Sequence, residues 1–488
     1  TVSNQHRRIC RCIYGSKLRH RSCAGMSDSD RLPPEIWDRI FDCLPFREQL
    51  DKAVVCRAWN LRVARRATVL IDGPGSREHL EALQKSQRNY RSFTVEVLKE
   101  ERHYQATRKV LHVCRKKFRA QRIRFGSVTS RLFTLVVQKY FEWVGTVQVL
   151  SLQLCDDEVF PAEALSRLVD LRELRLLNVC DTAVPWGGVL GQLDKLRILT
   201  VDAAWHYNDE ALGELVEAVA GCVNLRELTI RSHDTVGLGK LAESLSLLTK
   251  LSLVRLTVRL DECVLSFPAL RQLNLDIDWY EFDKPHLVIN APLLESLRIA
   301  KKTIHFLKLS QKTQISSLDL FGYSISSPHP CFSAVRELTL STWEPANAEA
   351  ILDEINFFPN VEKLAIRLVS KECVIPVPEA ATFKHIKTLY LNNFVLSISF
   401  FEEMAQVKIL ENLTIEECNF FHNCTGPPAD LTHLRHFRVK RVSMPMAVDT
   451  FPVALAPNQP PVVVVDKLRT HLWRNDHFNV FSSKEFGS

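Results

Sequence analysis

Leu171-Arg172-Glu173-Leu174-Arg175-Leu176 places apolar residues first, fourth and sixth in a hexad. The figure returns as Leu225-Arg226-Glu227-Leu228-Thr229-Ile230, Val335-Arg336-Glu337-Leu338-Thr339-Leu340 and Leu410-Glu411-Asn412-Leu413-Thr414-Ile415. With looser copies it begins at Val147, Leu171, Leu196, Leu225, Leu253, Leu270, Leu294, Ile315, Val335, Val361, Ile386, Leu410 and Leu434. Apolar residues two apart read as a short strand with one buried face. One such strand cannot bury its face alone, so successive copies must stack into a continuous core.

The mean interval is about 24 residues, inside the range of leucine-rich repeats. The predicted architecture is an α/β horseshoe-shaped solenoid, with short parallel strands on the concave face and helices on the convex face. Asp209–Ala220 predicts one such helix, with Leu212, Leu215, Val216 and Val219 on one side and Gly221 as its stop. Ala346–Phe357 predicts another, carrying Ile351, Leu352 and Ile355. The asparagine usual beyond the hexad is mostly missing: Cys155 and Cys418 stand in its place, and Val179, Ala204 and Trp343 do not match it.

The third and fifth hexad positions, and the one beyond the sixth, project from the concave face. Their chemistry is mixed and polar, with no evident pocket. Arg175, Glu227, Arg298, Lys363, Arg367, Tyr390, His436 and Arg438 are the candidate client-binding residues. The late cluster Arg435-His436-Arg438-Lys440-Arg441 suits an acidic partner.

Upstream, Pro33, Pro34 and Glu35 suit a first helical turn. Ile36, Ile40 and Leu44 share one face, widened by Trp37 and Phe41, until Pro45 ends the helix. Further helical patterns begin near Glu48 and Cys56. Residues 32–66 are fewer than the roughly 40 that usually fold unaided. Their apolar face must be covered by the following repeats or by a partner protein.

This segment resembles an F-box. The shared features are Leu32-Pro33-Pro34-Glu35, then Ile40 and Leu44, then Val55-Cys56-Arg57-Ala58-Trp59. Together with the repeats, the resemblance is to the F-box/leucine-rich-repeat proteins, substrate receptors of SCF-type cullin-RING ubiquitin ligases. It implies that Leu32, Pro33, Pro34, Ile36, Ile40, Leu44, Val54, Val55, Cys56 and Trp59 bind Skp1, with Trp59 equally suited to holding the helices together. It further implies a non-catalytic subunit that brings an unknown client to the ligase, in the cytoplasm, the nucleus or both. The alternative is a repeat protein that binds or inhibits a partner outside any ligase.

The boundaries expected are a leader at 1–31, the F-box at 32–66, degenerate first repeats at 67–146, leucine-rich repeats at 147–444, and a cap and tail at 445–488. Within 67–146, Val69-Leu70-Ile71, Phe93-Thr94-Val95 and Ile123-Arg124-Phe125 read as degenerate strands, and Val110, Cys114 and Phe118 as a helical stripe. Residues 1–25 hold six Lys and Arg and no acid, so they supply +6 of the net +7. They read as sequence ahead of a start at Met26, or else as a mitochondrial transit peptide.

Without that leader the chain is nearly neutral, which argues against general nucleic-acid binding. The basic run Arg115-Lys116-Lys117, Arg119, Arg122, Arg124 reads as the wet side of the Val110 helix. No stretch approaches the ~18 apolar residues of a membrane span. The fourteen cysteines form no Cys-x-x-Cys pair and read as free thiols of a reducing compartment. No phosphate loop, zinc-protease helix or nucleophile elbow occurs, and Gly187-Gly188 reads as a loop pair lacking the needed lysine. No catalytic residue, metal or cofactor is expected, and His433 and His436 are expected at the surface.

Overall fold

The computed structural model describes residues 68–72, 76–86, 89–96, 101–154, 162–179, 186–203, 209–232, 235–236, 239–258, 264–278, 287–300, 307–309, 314–321, 330–342, 355–369, 373–374, 383–396, 398–420, 429–440 and 453–454. They fall into two compact units that part near residue 270. The F-box segment, the leader and most of the proposed cap lie outside the described residues.

Among the described residues the first unit holds a ladder of principal strands: β1 (Thr68–Asp72), β2 (Ser92–Glu96), β3 (Arg122–Val128), β4 (Val149–Leu154), β5 (Glu173–Val179), β6 (Ile198–Ala203), β7 (Glu227–Arg231) and β8 (Lys250–Val258). Each pairs in parallel with the next. The fourth hexad residues align as Phe93, Ile123, Leu150, Leu174, Leu199, Leu228 and Leu251. The sixth align as Val95, Phe125, Leu152, Leu176, Val201, Ile230 and Leu253. None of these is more than 2% exposed. Strand pleating then turns the intervening residues to the other face.

This register corrects one hexad. Leu251 pairs with Leu228 and Leu253 with Ile230, so the repeat begins at Leu248 rather than Leu253. The run Leu248, Leu251, Leu253, Leu256, Val258 fits the apolar pattern in either phase, and only pairing chooses between them. A backbone landmark agrees. Among the described residues, the non-glycine residues with positive φ are Ser127, Arg255, Asn393 and Glu417, at 51°, 59°, 68° and 57°. Counted from Ala120, Leu248, Ile386 and Leu410, each stands eighth in its repeat.

A shared carbonyl fixes the rungs. The N–H groups of Arg172 and Glu173 both donate to Gln148, those of Arg197 and Ile198 to Arg172, and those of Arg226 and Glu227 to Arg197. The arrangement extends back to Gln121 and Arg122 on Arg91, so the first strands are built as the later ones are. A second element lies three residues ahead of each hexad. Leu171 N–H donates to Leu168, Leu196 to Leu193, Leu225 to Cys222 and Leu248 to Leu245, and all these side chains are buried. The working pattern is therefore one apolar position longer than the hexad.

Parallel strands require crossovers. Here they are helical: α1 (Ser76–Lys85), α2 (Glu101–Lys117), α3 (Ser130–Lys139), α4 (Phe141–Val144), α5 (Ala162–Ser166), α6 (Trp186–Leu190), α7 (Asp209–Ala220) and α8 (Gly239–Ser244). Val110, Cys114 and Phe118 are buried, as their spacing predicts. So are Leu215, Val216 and Val219 of α7. Phe93 meets Trp143 and Phe125 meets Phe133 edge-on, at 5.1 and 5.3 Å, filling the space beneath the longer helices. Gly187 and Gly188 lie within α6 behind the buried Trp186, not in a loop.

The second unit is likewise a parallel ladder: β9 (Gln272–Asp278), β10 (Ser296–Ala300), β11 (Ser317–Phe321), β12 (Glu337–Thr342), β13 (Lys363–Leu368), β14 (Thr388–Asn392), β15 (Asn412–Glu416) and β16 (His436–Lys440). Its far side differs from the expectation. Among the described residues the crossovers include one helix, α9 (Ile398–Gln406), and two 3-10 turns, Pro330–Ala334 and Ile355–Phe357. Short parallel strands pair there instead: Cys373–Val374 with Phe394–Leu396, that strand with Asn419–Phe420, and Ala429–Asp430 with Val453–Ala454. Repeats near 300–335 span only about 20 residues, the short end of the repeat range, leaving little chain for a helical turn. The aromatic and β-branched residues of Phe394-Val395-Leu396 also favour strand. Of the helix expected at 346–357, only the 3-10 end is described.

Candidate functional site

All eight client candidates lie on the open faces of the ladders, opposite the core. Arg175 and Glu227 belong to the first unit. Arg298, Lys363, Arg367, Tyr390, His436 and Arg438 belong to the second.

In the second unit, neighbouring rungs join several of them. Arg298 lies 3.5 Å from Asp319 on the next strand. Burial raises the Asp319 carboxyl above its ordinary range, with Arg298 and Arg367 opposing. The Arg367 guanidinium lies 5.5 Å from the Tyr390 ring centre, within cation–π reach. Tyr390 donates its hydroxyl to Glu416 at 2.9 Å. Burial, aided by that carboxylate, pushes the phenol up to about 12. Glu416 also lies 3.8 Å from Lys440. Lys363 donates to Glu337, which raises the lysine above its ordinary value. His436 and Arg438 point outward. His433 corrects an expectation: it is half-buried, and burial holds its imidazole below the usual value.

The first unit has a hollow that the residue types did not announce. It measures about 420 Å³ and is lined by Arg124, Ser151, Arg175, Thr200, Asp202 and Arg231, among others. Register explains it. The fifth positions of β3 to β7 read Arg124, Ser151, Arg175, Thr200, Thr229, so long side chains wall in short hydroxyl ones. Arg175 bridges Glu173 at 2.6 Å and Arg231 bridges Asp202 at 3.1 Å. Arg124, Asp202 and Arg231 were missed in the sequence, although fifth- and seventh-place counting identifies them. Glu227 lies 3.9 Å from Lys250.

Half of the early basic run is structural, while Arg122 and Arg124 lie on β3 and not on the wet side of the helix. Arg115 bonds Glu142 at 3.0 Å, Arg119 bonds the Glu142 carbonyl, and Lys117 donates to the Leu83 and Gln84 carbonyls at 2.9 and 2.8 Å. These bonds tie α2 and its exit to α1 and α4.

Cys418 fills the place that asparagine takes in regular repeats. Its sulfur accepts from Phe394 N–H at 3.4 Å and lies within donating distance of the Glu416 and Leu391 carbonyls, at 3.4 and 3.9 Å. Cys114, Cys222 and Cys418 are free and buried. Burial pushes their thiols up to about 12, 11 and 12. Cys155 lies outside the described residues, as do all ten residues assigned to Skp1. Among the described residues, no helix is long and apolar enough to cross a membrane.

No family model matches the chain, and no curated protein matches it. Similar solved structures include a TLR13–ssRNA13 complex, at 15% identity over 67% of this chain and 49% of that one, with a TM-score of 0.41. They also include an internalin (inlF) from Listeria monocytogenes str. 4b F2365, at 13% identity over 73% of this chain and 82% of that one, with a TM-score of 0.29. The chain thus spans about half the length of the TLR13 chain. What defines the fold is internal: in-register parallel rungs, a shared carbonyl at each step and apolar first, fourth and sixth positions make each unit a leucine-rich-repeat solenoid.

Proposed function

We propose that this chain is the substrate-recognition subunit of an SCF-type ubiquitin ligase. The F-box of residues 32–66 engages Skp1, and through it a cullin-RING ligase, while the open faces of the repeats hold a client protein. The observation that carries this reading is the ordered motif Leu32-Pro33-Pro34-Glu35, Ile40, Leu44, Val55-Cys56-Arg57-Ala58-Trp59, which in the sequence precedes a repeat ladder whose first described strand starts at Thr68. Ile36, Ile40, Leu44 and Val54 would fill the partner's apolar groove.

The chain itself would carry no chemistry. It would hold a lysine of the client near the charged conjugating enzyme and so raise the effective concentration of the reacting groups. Neither nucleic acid nor a membrane is needed, and the cytoplasm and nucleus both suit the role.

The test is the double substitution Ile40→Asp, Leu44→Asp in the full chain. Two charges on the apolar face should abolish co-purification of Skp1 while circular dichroism of the repeats stays unchanged. Failure of the unsubstituted chain to retain Skp1 would overturn the proposal in favour of a repeat protein acting outside a ligase.

A further inference from the structure

The second hexad position lies at the edge where each rung enters the ladder, off the open face discussed above. In the second unit this row reads Arg271, Glu295, Ser316, Arg336, Glu362, Lys387, Glu411, Arg435. Its charges alternate and pair. Arg271 meets Glu295, Arg336 and Lys387 both meet Glu362 at 2.8 and 2.9 Å, and Arg435 meets Glu411 at 3.2 Å.

The same row in the first unit breaks that rule. Arg172, Arg197 and Arg226 stand on three successive rungs. Among the described residues none makes a side-chain hydrogen bond or close ion pair, although Arg172 acts at longer range on the Asp170 carboxylate that Lys195 holds. Their backbones are rigid, because each carbonyl accepts two N–H groups from the next rung. Together with Asp194, Lys195 and Asn224 they line a hollow of about 210 Å³. Lys195 is held by Asp170 at 2.5 Å, and Asn224 donates to the Asp194 carbonyl at 3.0 Å, fixing the neighbouring turns.

We propose that this arginine ladder is a docking edge for an acidic segment of a partner protein, one that offers two or three carboxylates. Guanidinium forks match carboxylates in shape and charge. Rungs about 4.8 Å apart put the outer arginines roughly 10 Å apart, a span an extended acidic stretch covers with alternate side chains. Nucleic acid fits less well. The stripe is short beside a run of phosphates, Asp194 sits in the lining with Asp170 paired to its Lys195, and the lining holds no aromatic ring on which a base could stack. If the partner is the ligase client, the inference extends the function proposed above. Because Skp1 retention and edge binding are read separately, either can fail alone.

The test uses the full chain and three labelled probes at low salt: hexaglutamate, hexaglutamine and a six-nucleotide oligouridylate, followed by fluorescence anisotropy. Hexaglutamate should bind and hexaglutamine should not. Each of Arg172→Gln, Arg197→Gln and Arg226→Gln should weaken hexaglutamate roughly two- to fivefold, as exposed ion pairs do, and the triple substitution should remove the salt-sensitive part of binding. Because the internal attraction lost is only the screened one between Arg172 and the exposed Asp170, the triple variant should melt within about a degree or two of the original chain. Arg336→Gln, which breaks an internal pair, should leave hexaglutamate binding unchanged. Equal binding by the triple variant, no binding of hexaglutamate, or tighter ladder-dependent binding of the oligouridylate would each overturn the proposal.

Discussion

Truncating Cys418 to alanine isolates what the asparagine position contributes. The thiol is buried, accepts the Phe394 amide at 3.4 Å and has the Glu416 and Leu391 carbonyls within 3.4 and 3.9 Å. Alanine leaves the buried Phe394 N–H without its acceptor, and an orphaned buried donor costs about 1–3 kcal/mol. For a unit of this size, that is a fall in melting temperature of roughly 2–12 °C. Asparagine at the same place offers an amide oxygen to Phe394 and an N–H to a carbonyl, with shorter bonds than sulfur makes. Cys418→Asn should therefore match or exceed the natural residue.

Thermal unfolding of the full chain gives the global effect, and hydrogen exchange over residues 389–400 gives the local one. In the alanine variant the Phe394 amide should exchange faster, and in the asparagine variant no faster than in the original. Iodoacetamide offers an independent check. With its thiol pushed up to about 12, Cys418 should stay unmodified in the native state at neutral pH and react on unfolding. An alanine variant as stable as the original, or an asparagine variant weaker than alanine, would refute the reasoning.

Tyr390 predicts an alkaline limb. A phenol raised above its ordinary 10 contributes stability that is present below that value and lost as pH rises through about 12, so Tyr390→Phe should flatten the melting profile in that window, with tyrosinate absorbance as the check. Asp319 has the same sign and the same leading cause, burial, but its neighbours Arg298 and Arg367 oppose the shift. Asp319→Asn should raise the melting temperature at neutral pH, with the gain vanishing below pH 3.8, where the carboxyl is neutral folded and unfolded. Arg255 stands at φ 59°, where a Cβ is strained, so Arg255→Gly should be neutral or stabilising by up to about 1 kcal/mol in denaturant titration. Were the hexad to start at Leu253, Arg255 would take the extended third position and glycine would cost about 0.5–1 kcal/mol instead.

The rungs were legible because their inward residues obey a rule that involves only near neighbours in sequence. The slip at Leu248 shows the limit. Five apolar residues in a row of alternating places fit two phases, and the choice lies in pairing with Leu228 and Ile230, far back in the chain. The apolar place three residues ahead, held by Leu168, Leu193, Cys222, Leu245 and Phe267, was visible in the sequence but unread. The far side of the second unit was less legible. Phe394-Val395-Leu396 gains its strand partners only because the rungs beneath it are stacked. The hollow at Ser151 is a property of side-chain length compared across rungs, so it appears once register is known. The F-box reading stays a matter of motif alone.

One consequence concerns where function can be written in such a chain. Inward positions carry the stability, since truncating one buried hexad leucine costs about 2–5 kcal/mol. Outward and edge positions are nearly free of that demand, because exposed ion pairs are worth at most about 1 kcal/mol. Charge pairing at the edge is therefore a weak preference that folding alone would leave in place. The second unit keeps it from Arg271 to Arg435, and the first abandons it at Arg172, Arg197 and Arg226. Stacking three like charges costs the fold little and brings it only the longer-range attraction of Arg172 for Asp170. The return must come from an anion outside these rungs, which is why the edge and not only the open face belongs in any search for the partner.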